Sequence, residues 1–276
     1  MADFDARPLL VTDTVSVWDV VCQGECKHKS PEECAAATHL VFPYRGVYMH
    51  HVGREEAVAE ANQVVFINEG EAYQVSHPVE GGDSSLSIGV SAQMLQELSP
   101  MDYLQKTGPT AFNRPRLRID ARAQALTALL RHSLDRRAIE TLEAETLTLT
   151  LVRRALGERT SHAAAGTYGR QKLVDRAKLI LSPDLGRRWT LAEIAAEVGV
   201  SPVYLTQVFQ QVEGLPLYRY QLQLRLARAL DLLGDCEDLT VLALDLGFSS
   251  HSHFSAAFKK AYGKPPLEFQ HDARVR

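Results

Sequence analysis

Thr190-Leu-Ala-Glu-Ile-Ala-Ala-Glu-Val-Gly-Val-Ser-Pro202 holds a short helix, a tight turn and the start of a second helix. Thr190 is a good N-cap, and Glu193 three residues on completes a capping box. Gly199 ends that helix where the backbone needs a positive φ, and Ser201 with Pro202 in the first turn starts the next. The pattern returns in Leu239-Thr-Val-Leu-Ala-Leu-Asp-Leu-Gly-Phe-Ser-Ser250, with Gly247 forty-eight residues after Gly199. Ala195, Gly199 and Ser201 align with Ala243, Gly247 and Ser249, and Phe209 meets Phe258 if the second turn is one residue longer. A long amphipathic helix, Leu217 to Leu233, ended by Gly234, joins the two copies. A single helix–glycine turn–helix is a weak signal, because paired short helices are common in all-α domains. Two in the same order are accounted for most simply by a duplicated helix-turn-helix unit.

Such a unit needs a small residue inside its first helix so that the second packs close, a glycine at the turn, and an exposed face on the second helix. Ala195 or Ala196, Gly199 and the Val203–Gln211 face supply these, with Leu205, Val208, Phe209, Phe254 and Phe258 as core.

Residues 170–271 resemble the DNA-binding domain of the AraC/XylS family of transcription regulators. The likeness is carried by Gly214-Leu-Pro-Leu-Tyr-Arg-Tyr220, by Leu224-Arg-Leu226 with Ala229 and Leu232-Leu233, and by Ala243-Leu-Asp-Leu-Gly-Phe-Ser-Ser250. His253-Phe-Ser-Ala-Ala-Phe-Lys-Lys260 and Gly263-Lys-Pro-Pro266 complete it. The resemblance implies that the helices after Ser201 and Ser250 enter successive major grooves on one face of DNA. Val203, Thr206 and Gln207 in the first unit, and His251, Ser252, Ser255 and Ala256 in the second, would then meet base edges. Tyr204, Lys259, Lys260, Lys264 and Arg170 would meet phosphates. Gln207 has the geometry for a bidentate adenine contact, but neither exposed face carries an Arg for guanine. Readout therefore leans on thymine methyls, on Gln and His, and on DNA shape. The Arg usual in the family after the terminal aromatic is here Gln270, beside Phe269.

Working outward, 276 residues suit two domains at roughly 100–200 residues each. With 45% hydrophobic and 23% charged residues the composition excludes disordered, fibrous and membrane classes. The net charge of −4 argues at first against nucleic acid, but it divides unevenly. Residues 1–160 hold 16 Lys/Arg against 22 Asp/Glu, net −6, and the remainder 14 against 12, net +2. A domain at +2 has a thin electrostatic reserve, so its DNA binding should depend on dimerisation and on salt. The acidic start MADFDARPLL and the lack of long apolar runs give the expectation of a cytoplasmic protein with no membrane partner.

The first ninety residues read as short strands. His39 to Val52 is a strand pair bent at Pro43 and Gly46; Gln63–Ile67, a turn at Glu69–Glu71 and Tyr73–His77 read as a hairpin; Gly81-Gly82-Asp83 is a turn before Leu86–Val90. Leucines and alanines at three- and four-residue steps give two helices between Leu126 and Leu134 and between Leu142 and Ala155. The small, polar stretch Gly157 to Gly169 is the linker. This half resembles, less specifically, the cupin-like ligand-binding domain carried by many members of the same family, a small barrel with room for one ligand. Its inward polar candidates are Tyr44, Arg45, His51, Tyr73 and His77. His50 and His51 are adjacent, so on a strand they face opposite ways and do not share an ion, against a cupin metalloenzyme. Cys22, Cys26 and Cys34 lie within thirteen residues beside Lys27, His28 and Lys29. Three thiols and one His, whether His28, His51 or His77, would satisfy a tetrahedral Zn²⁺ or another soft ion, and lowered thiol pKa values would make a redox sensor.

The sequence thus reads as a multi-domain α+β chain that lacks enzyme activity. Residues 1–156 form a cupin-like β-barrel for an effector with a helical hairpin for dimerisation, 157–169 a linker, and 170–276 an all-α double helix-turn-helix domain. The expected partners are promoter DNA, a small-molecule effector, RNA polymerase and a second copy. Activation follows from the resemblance, and a metal or thiol sensor using the three cysteines is the main alternative.

Overall fold

A computed structural model of the chain describes residues 4–24, 27–106, 110–157 and 167–275. Cys26 and most of the expected linker lie outside them. The strand-rich half contains β1 (Phe4–Val11), β2 (Val15–Cys22), β3 (Glu33–Cys34), β4 (His39–Gly46), β5 (Tyr48–Val52), β6 (Glu55–Ala59), β7 (Gln63–Ile67), β8 (Ala72–Ser76), β9 (Asp83–Val90) and β10 (Arg116–Arg118). They form two antiparallel sheets, ordered β1-β2-β9-β4-β7-β10 and β3-β8-β5-β6. Val41 and Val65 of the larger sheet and Tyr48 and Ala59 of the smaller pack into one cluster, so the sheets face each other.

The other face of the large sheet is covered by helices: α1 (Ala92–Leu98), α2 (Ala121–Asp135) and α3 (Thr141–Leu156). Alternation puts Val17, Leu40, Phe42, Val64, Phe66, Leu86 and Ile88 on that side, where they join Leu130, Leu151 and Ala155 in the main core. The helical hairpin expected from the leucine spacing is present as α2 and α3.

One sequence expectation is corrected. Gln63–Ile67 and Tyr73–His77 do not form a hairpin: β7 pairs with β4 and β10, whereas β8 pairs with β5 and β3. The segment between them crosses from one sheet to the other. Asn68 pins this crossing, donating to the Phe112 carbonyl at 3.1 Å and accepting from its N–H at 2.8 Å. A side chain that satisfies a distant backbone in this way leaves the short connection free to change sheets.

The helical half follows as α4 (Tyr168–Leu181), α5 (Leu191–Val198), α6 (Pro202–Glu213), α7 (Leu217–Leu232), α8 (Leu239–Asp245), α9 (His251–Tyr262) and α10 (Pro266–Val275). The Thr190–Glu193 capping box closes, Ser201 caps α6 with Pro202 in its first turn, and Ser250 caps α9. Gly199 and Gly247 sit at φ 75° and 77°, the left-handed turn both units need. No helix among the described residues is long and apolar enough to cross a membrane.

Candidate nucleic-acid interface

The two second helices, α6 and α9, split by periodicity into a core face and an open face. Leu205, Val208, Phe209 and Val212 of α6 are buried, as are Phe254 and Phe258 of α9. What remains outside is the set expected to meet DNA. Val203, Tyr204 and Gln207 on α6, and His251, Ser252, Ala256, Lys259 and Lys260 on α9, are exposed, while Thr206 and Ser255 are half-buried. Val203, at 68% exposed, is an apolar side chain held out in water. Thr206 Oγ1 donates to the Pro202 carbonyl at 2.9 Å, leaving its methyl and oxygen lone pairs available. His251 Nε2 lies 3.3 Å from Ser255 Oγ. His253 is different: its Nδ1 is 3.1 Å from Ser249 Oγ and its ring meets Phe248 edge-on at 5.5 Å, so it fixes the turn.

Two further basic residues singled out by sequence have partners within the protein. Arg170 donates to Gln211 at 3.0 Å, and Lys264 is held between Glu268 at 3.3 Å and Asp272 at 2.9 Å. Gln270 is buried and donates to the carbonyls of Leu233 and Cys236, tying α10 to the end of α7.

Behind the open faces, the helical half is docked on the strand-rich half at two places. At the first, Lys178 of α4 is fully buried, and its Nζ sits 2.6 Å from Glu213 Oε1 at the end of α6 and 3.8 Å from Asp175. The strand-rich half plugs into this pair. Arg116 of β10 reaches Asp175 at 3.0 Å, Arg118 donates to the Glu213 carbonyl, and Gln63, with its amide set to satisfy both neighbours, accepts from Lys178 at 2.8 Å. Burial pushes the Glu213 carboxyl up, but Lys178 and Arg116, with Arg118, override it and hold the group below its ordinary value. Burial raises the nearby Glu60 carboxyl instead.

At the second place, α2 meets α7, α9 and α10. Ala125 and Ala128 join Leu226, Leu230 and the phenylalanines of the second unit in one core. Around it, Arg131 pairs with Asp231 at 2.6 Å and His132 Nε2 lies 3.2 Å from the Leu230 carbonyl. Tyr262 donates to Gln124 at 3.3 Å. The outer face of α2 is thus covered within the chain, while α3 leaves Leu142 76% exposed.

Between the halves, on the side of the charged contact, lies a cavity of about 780 Å³. Its wall includes Met49, His51, Arg116 and Arg118 from one half and Tyr168, Gln171, Asp175 and Glu213 from the other. Of the five effector candidates read from sequence, His51 lines it. The other four sit elsewhere. Tyr44 donates to Asp19 at 2.7 Å with the Arg131 guanidinium over its ring, Arg45 donates to Ser84 at 2.6 Å, Tyr73 donates to Glu33 at 2.8 Å, and His77 is 2.7 Å from Asp83. The expectation that these residues point inward together is therefore corrected. His51 faces outward, with Nε2 2.9 Å from Ser76 Oγ, because alternation gives the inward position to His50, against the Tyr73 ring. Burial lowers His50 to about 4, so it is a neutral imidazole at physiological pH.

The cysteines also separate. Cys34 is exposed on the edge strand β3 opposite Ala72, and His28 is exposed, while Cys22 ends β2 beside Asp83. Cys22, Cys34 and His28 thus do not gather into the thiol-rich zinc site that their sequence spacing suggested.

Sequence reasoning missed Lys178, Asp175, Glu213, Arg116 and Arg118. A signal existed for Lys178: it falls four residues after Val174 and three before Leu181, inside the apolar stripe of its helix.

The chain is similar to known proteins. A family model described as a helix-turn-helix domain matches residues 194–272. The probable transcriptional regulator LumQ of Photobacterium leiognathi is 24% identical over 84% of this chain and 92% of its own length. The activator RhaR of Klebsiella pneumoniae is 30% identical over 56% of each chain, so this chain spans little more than half of it. A solved AraC-type DNA-binding domain protein from Chromobacterium violaceum is 30% identical over 38% of this chain and 95% of its own, with a TM-score of 0.36. With its duplicated units, open second helices and strand-rich N-terminal half, the chain is a DNA-binding transcription regulator of the AraC/XylS family.

Proposed function

We propose that the regulator senses a small molecule in the cavity between its halves and that occupancy changes how the first helix-turn-helix unit is held. The observation that carries this reading is the cavity's shared wall: Arg116, Arg118, Asp175 and Glu213 both line it and make the contact between the halves. A ligand that prefers one arrangement of those charges shifts the population of DNA-competent chains, and its effect is limited by that preference. His51 belongs to this site in the proposal. Tyr44, Arg45, Tyr73 and His77 act through the surrounding structure.

In this proposal residues 1–156 sense, 157–169 link and 170–276 bind DNA. Val203, Thr206, Gln207, His251, Ser252, Ser255 and Ala256 read bases, and Tyr204, Lys259 and Lys260 hold phosphates. Because α2 is covered within the chain, a second copy is met through α3 and Leu142. Regulation is by activation, through contact with RNA polymerase on promoter DNA. The test is enrichment of genomic fragments by the purified full chain, then footprinting and reporter assays on the fragments recovered. Two adjacent major-groove footprints, and a reporter whose response to added metabolites is lost in Met49→Trp, are expected. No enrichment over bulk DNA overturns the DNA assignments. A Met49→Trp reporter with an unchanged response overturns the cavity.

A further inference from the structure

We infer that Cys22, His77 and Asp83 form a binding site for a single Zn²⁺ ion at the end of the strand-rich half. The inference does not depend on the proposed effector cavity.

The three residues come from three segments that the sheet register brings together. Cys22 closes β2 and stands directly opposite Asp83, the first residue of β9; His77 follows β8 in the facing sheet. Asp83 and Ser85 share the face of β9 opposite to Leu86 and Ile88, which point to the helices. That face looks across to the smaller sheet, where the His77 ring lies 6.2 Å from that of Tyr48. One ligand atom from each of Cys22, His77 and Asp83 lies within 4.8 Å of the others, and His77 Nε2 is 2.7 Å from Asp83 Oδ1. His77 and Asp83 are buried and Cys22 is half-buried, so the opening to the site is on the thiol side.

The donor set selects the ion. A thiolate and an imidazole together favour zinc over calcium or magnesium, which take all-oxygen shells. Three protein ligands leave a fourth tetrahedral position for solvent or a ligand. Ser85 Oγ donates to the other Asp83 oxygen at 3.3 Å, orienting the carboxylate from behind as supporting hydrogen bonds do around metals.

The backbone around the site leaves little room for these ligands to move apart. Gly24, Gly46 and Gly82 all have positive φ and press on one another. A Cβ on Gly24 would come within 2.6 Å of Gly82 Cα, and one on Gly46 or Gly82 would overlap the carbonyl of Gly82 or Cys22. Three chain segments thus meet with no side chains between them, fixing the strand end that carries Cys22 against the turn that carries His77 and Asp83. Of the other cysteines grouped with Cys22 in the sequence, Cys34 does not take part. Cys34 pairs with Ala72 at the opposite end of β8 from His77, roughly 17 Å away at about 3.3 Å per residue.

The test uses the full chain, freed of metal with a chelator and titrated with Zn²⁺ and with Co²⁺ as a spectroscopic probe. One equivalent of Zn²⁺ should bind at micromolar or lower concentration. Co²⁺ should show the thiolate charge-transfer and tetrahedral ligand-field bands. Cys22→Ser should abolish the charge-transfer band and weaken Zn²⁺ at least 100-fold while leaving the far-ultraviolet circular dichroism unchanged. Asp83→Asn should weaken it at least 10-fold, and Cys34→Ser and His28→Gln should change nothing. No uptake by the full chain, a charge-transfer band that survives Cys22→Ser, or one lost only in Cys34→Ser would overturn the site.

Discussion

The two helix-turn-helix units share one sequence pattern and are held in two different ways. The core of the first, built from α4, α5, α6 and the start of α7, is filled entirely by residues of the helical half, and its contact with the strand-rich half is a buried charge cluster around Lys178 and Glu213. The core of the second includes Ala125 and Ala128 of α2, so its apolar interior is shared with the hairpin of the other half. Apolar packing is non-directional and tolerates small shifts, whereas a buried ion pair is stable only in one geometry and is costly once a partner is missing. The comparison teaches that the second unit is fixed as part of the scaffold, and that the first is attached through a contact that the loss of a single charge would disturb.

The largest effect that would sharpen this contrast is expected from Lys178→Met. It leaves Glu213 buried beside Arg116 and Arg118 without its closest cation, and breaking a buried pair in this way costs about 3–5 kcal/mol. Urea denaturation should show it as a lower midpoint, and adding Glu213→Gln should recover a substantial part. The pH dependence follows from the same cations. Because Glu213 is held below its ordinary value, its contribution is present above the usual carboxylate range and is lost as pH falls towards the folded value. Lys178→Met should flatten that acid limb. A variant as stable as the parent, with the limb intact, would break the account of the first unit.

Next in size is the turn glycine of each unit. Gly199 has open space where a Cβ would go, so Gly199→Ala meets only the left-handed strain of about 1–2 kcal/mol. At Gly247 the added Cβ would lie 2.5 Å from the Gly186 carbonyl and 2.9 Å from the Arg225 guanidinium. Overpacking then adds about 1–3 kcal/mol to the strain, for a total of about 2–5 kcal/mol in Gly247→Ala. The two midpoints, measured side by side, test whether the second unit is the more rigidly built. Equal losses would put both on the same footing.

How far the sequence revealed this depends on the range of the interactions. Caps, glycine turns and the periodic faces of α5, α6, α8 and α9 are local, and Thr190, Ser201, Gly199 and Gly247 could be assigned from their neighbours alone. The β7–β8 crossing was misread because Asn68 is satisfied by Phe112, forty-four residues away, which no turn rule contains. The cysteines were grouped by proximity along the chain, but strand register sets Cys22 beside Asp83 and leaves Cys34 on the far edge. The docking charges were hidden for a related reason: Lys178 is visible as a cation in an apolar stripe, yet nothing near it in sequence names Glu213 or Arg116 as its surroundings.

The smallest effects concern the open faces, where the two units should differ in kind. Gln207→Ala removes the side chain of α6 best suited to a bidentate base contact, costing about 1–3 kcal/mol and relaxing preference at one base pair. Equal losses on every sequence would sink its assignment as a reader. Lys259 near the end of α9 carries no directional donor pair, and the helical half has a net charge of only +2 from residue 161 onward. Lys259→Ala should therefore weaken all sequences alike, leave the preferred site unchanged, and reduce the slope of log affinity against log salt by about 1. Anisotropy titrations at three salt concentrations, on the selected site and on a scrambled one, read both quantities. An unchanged slope would mean that the second unit binds through shape and apolar contact alone, which is how its shared apolar core already ties it to the rest of the protein.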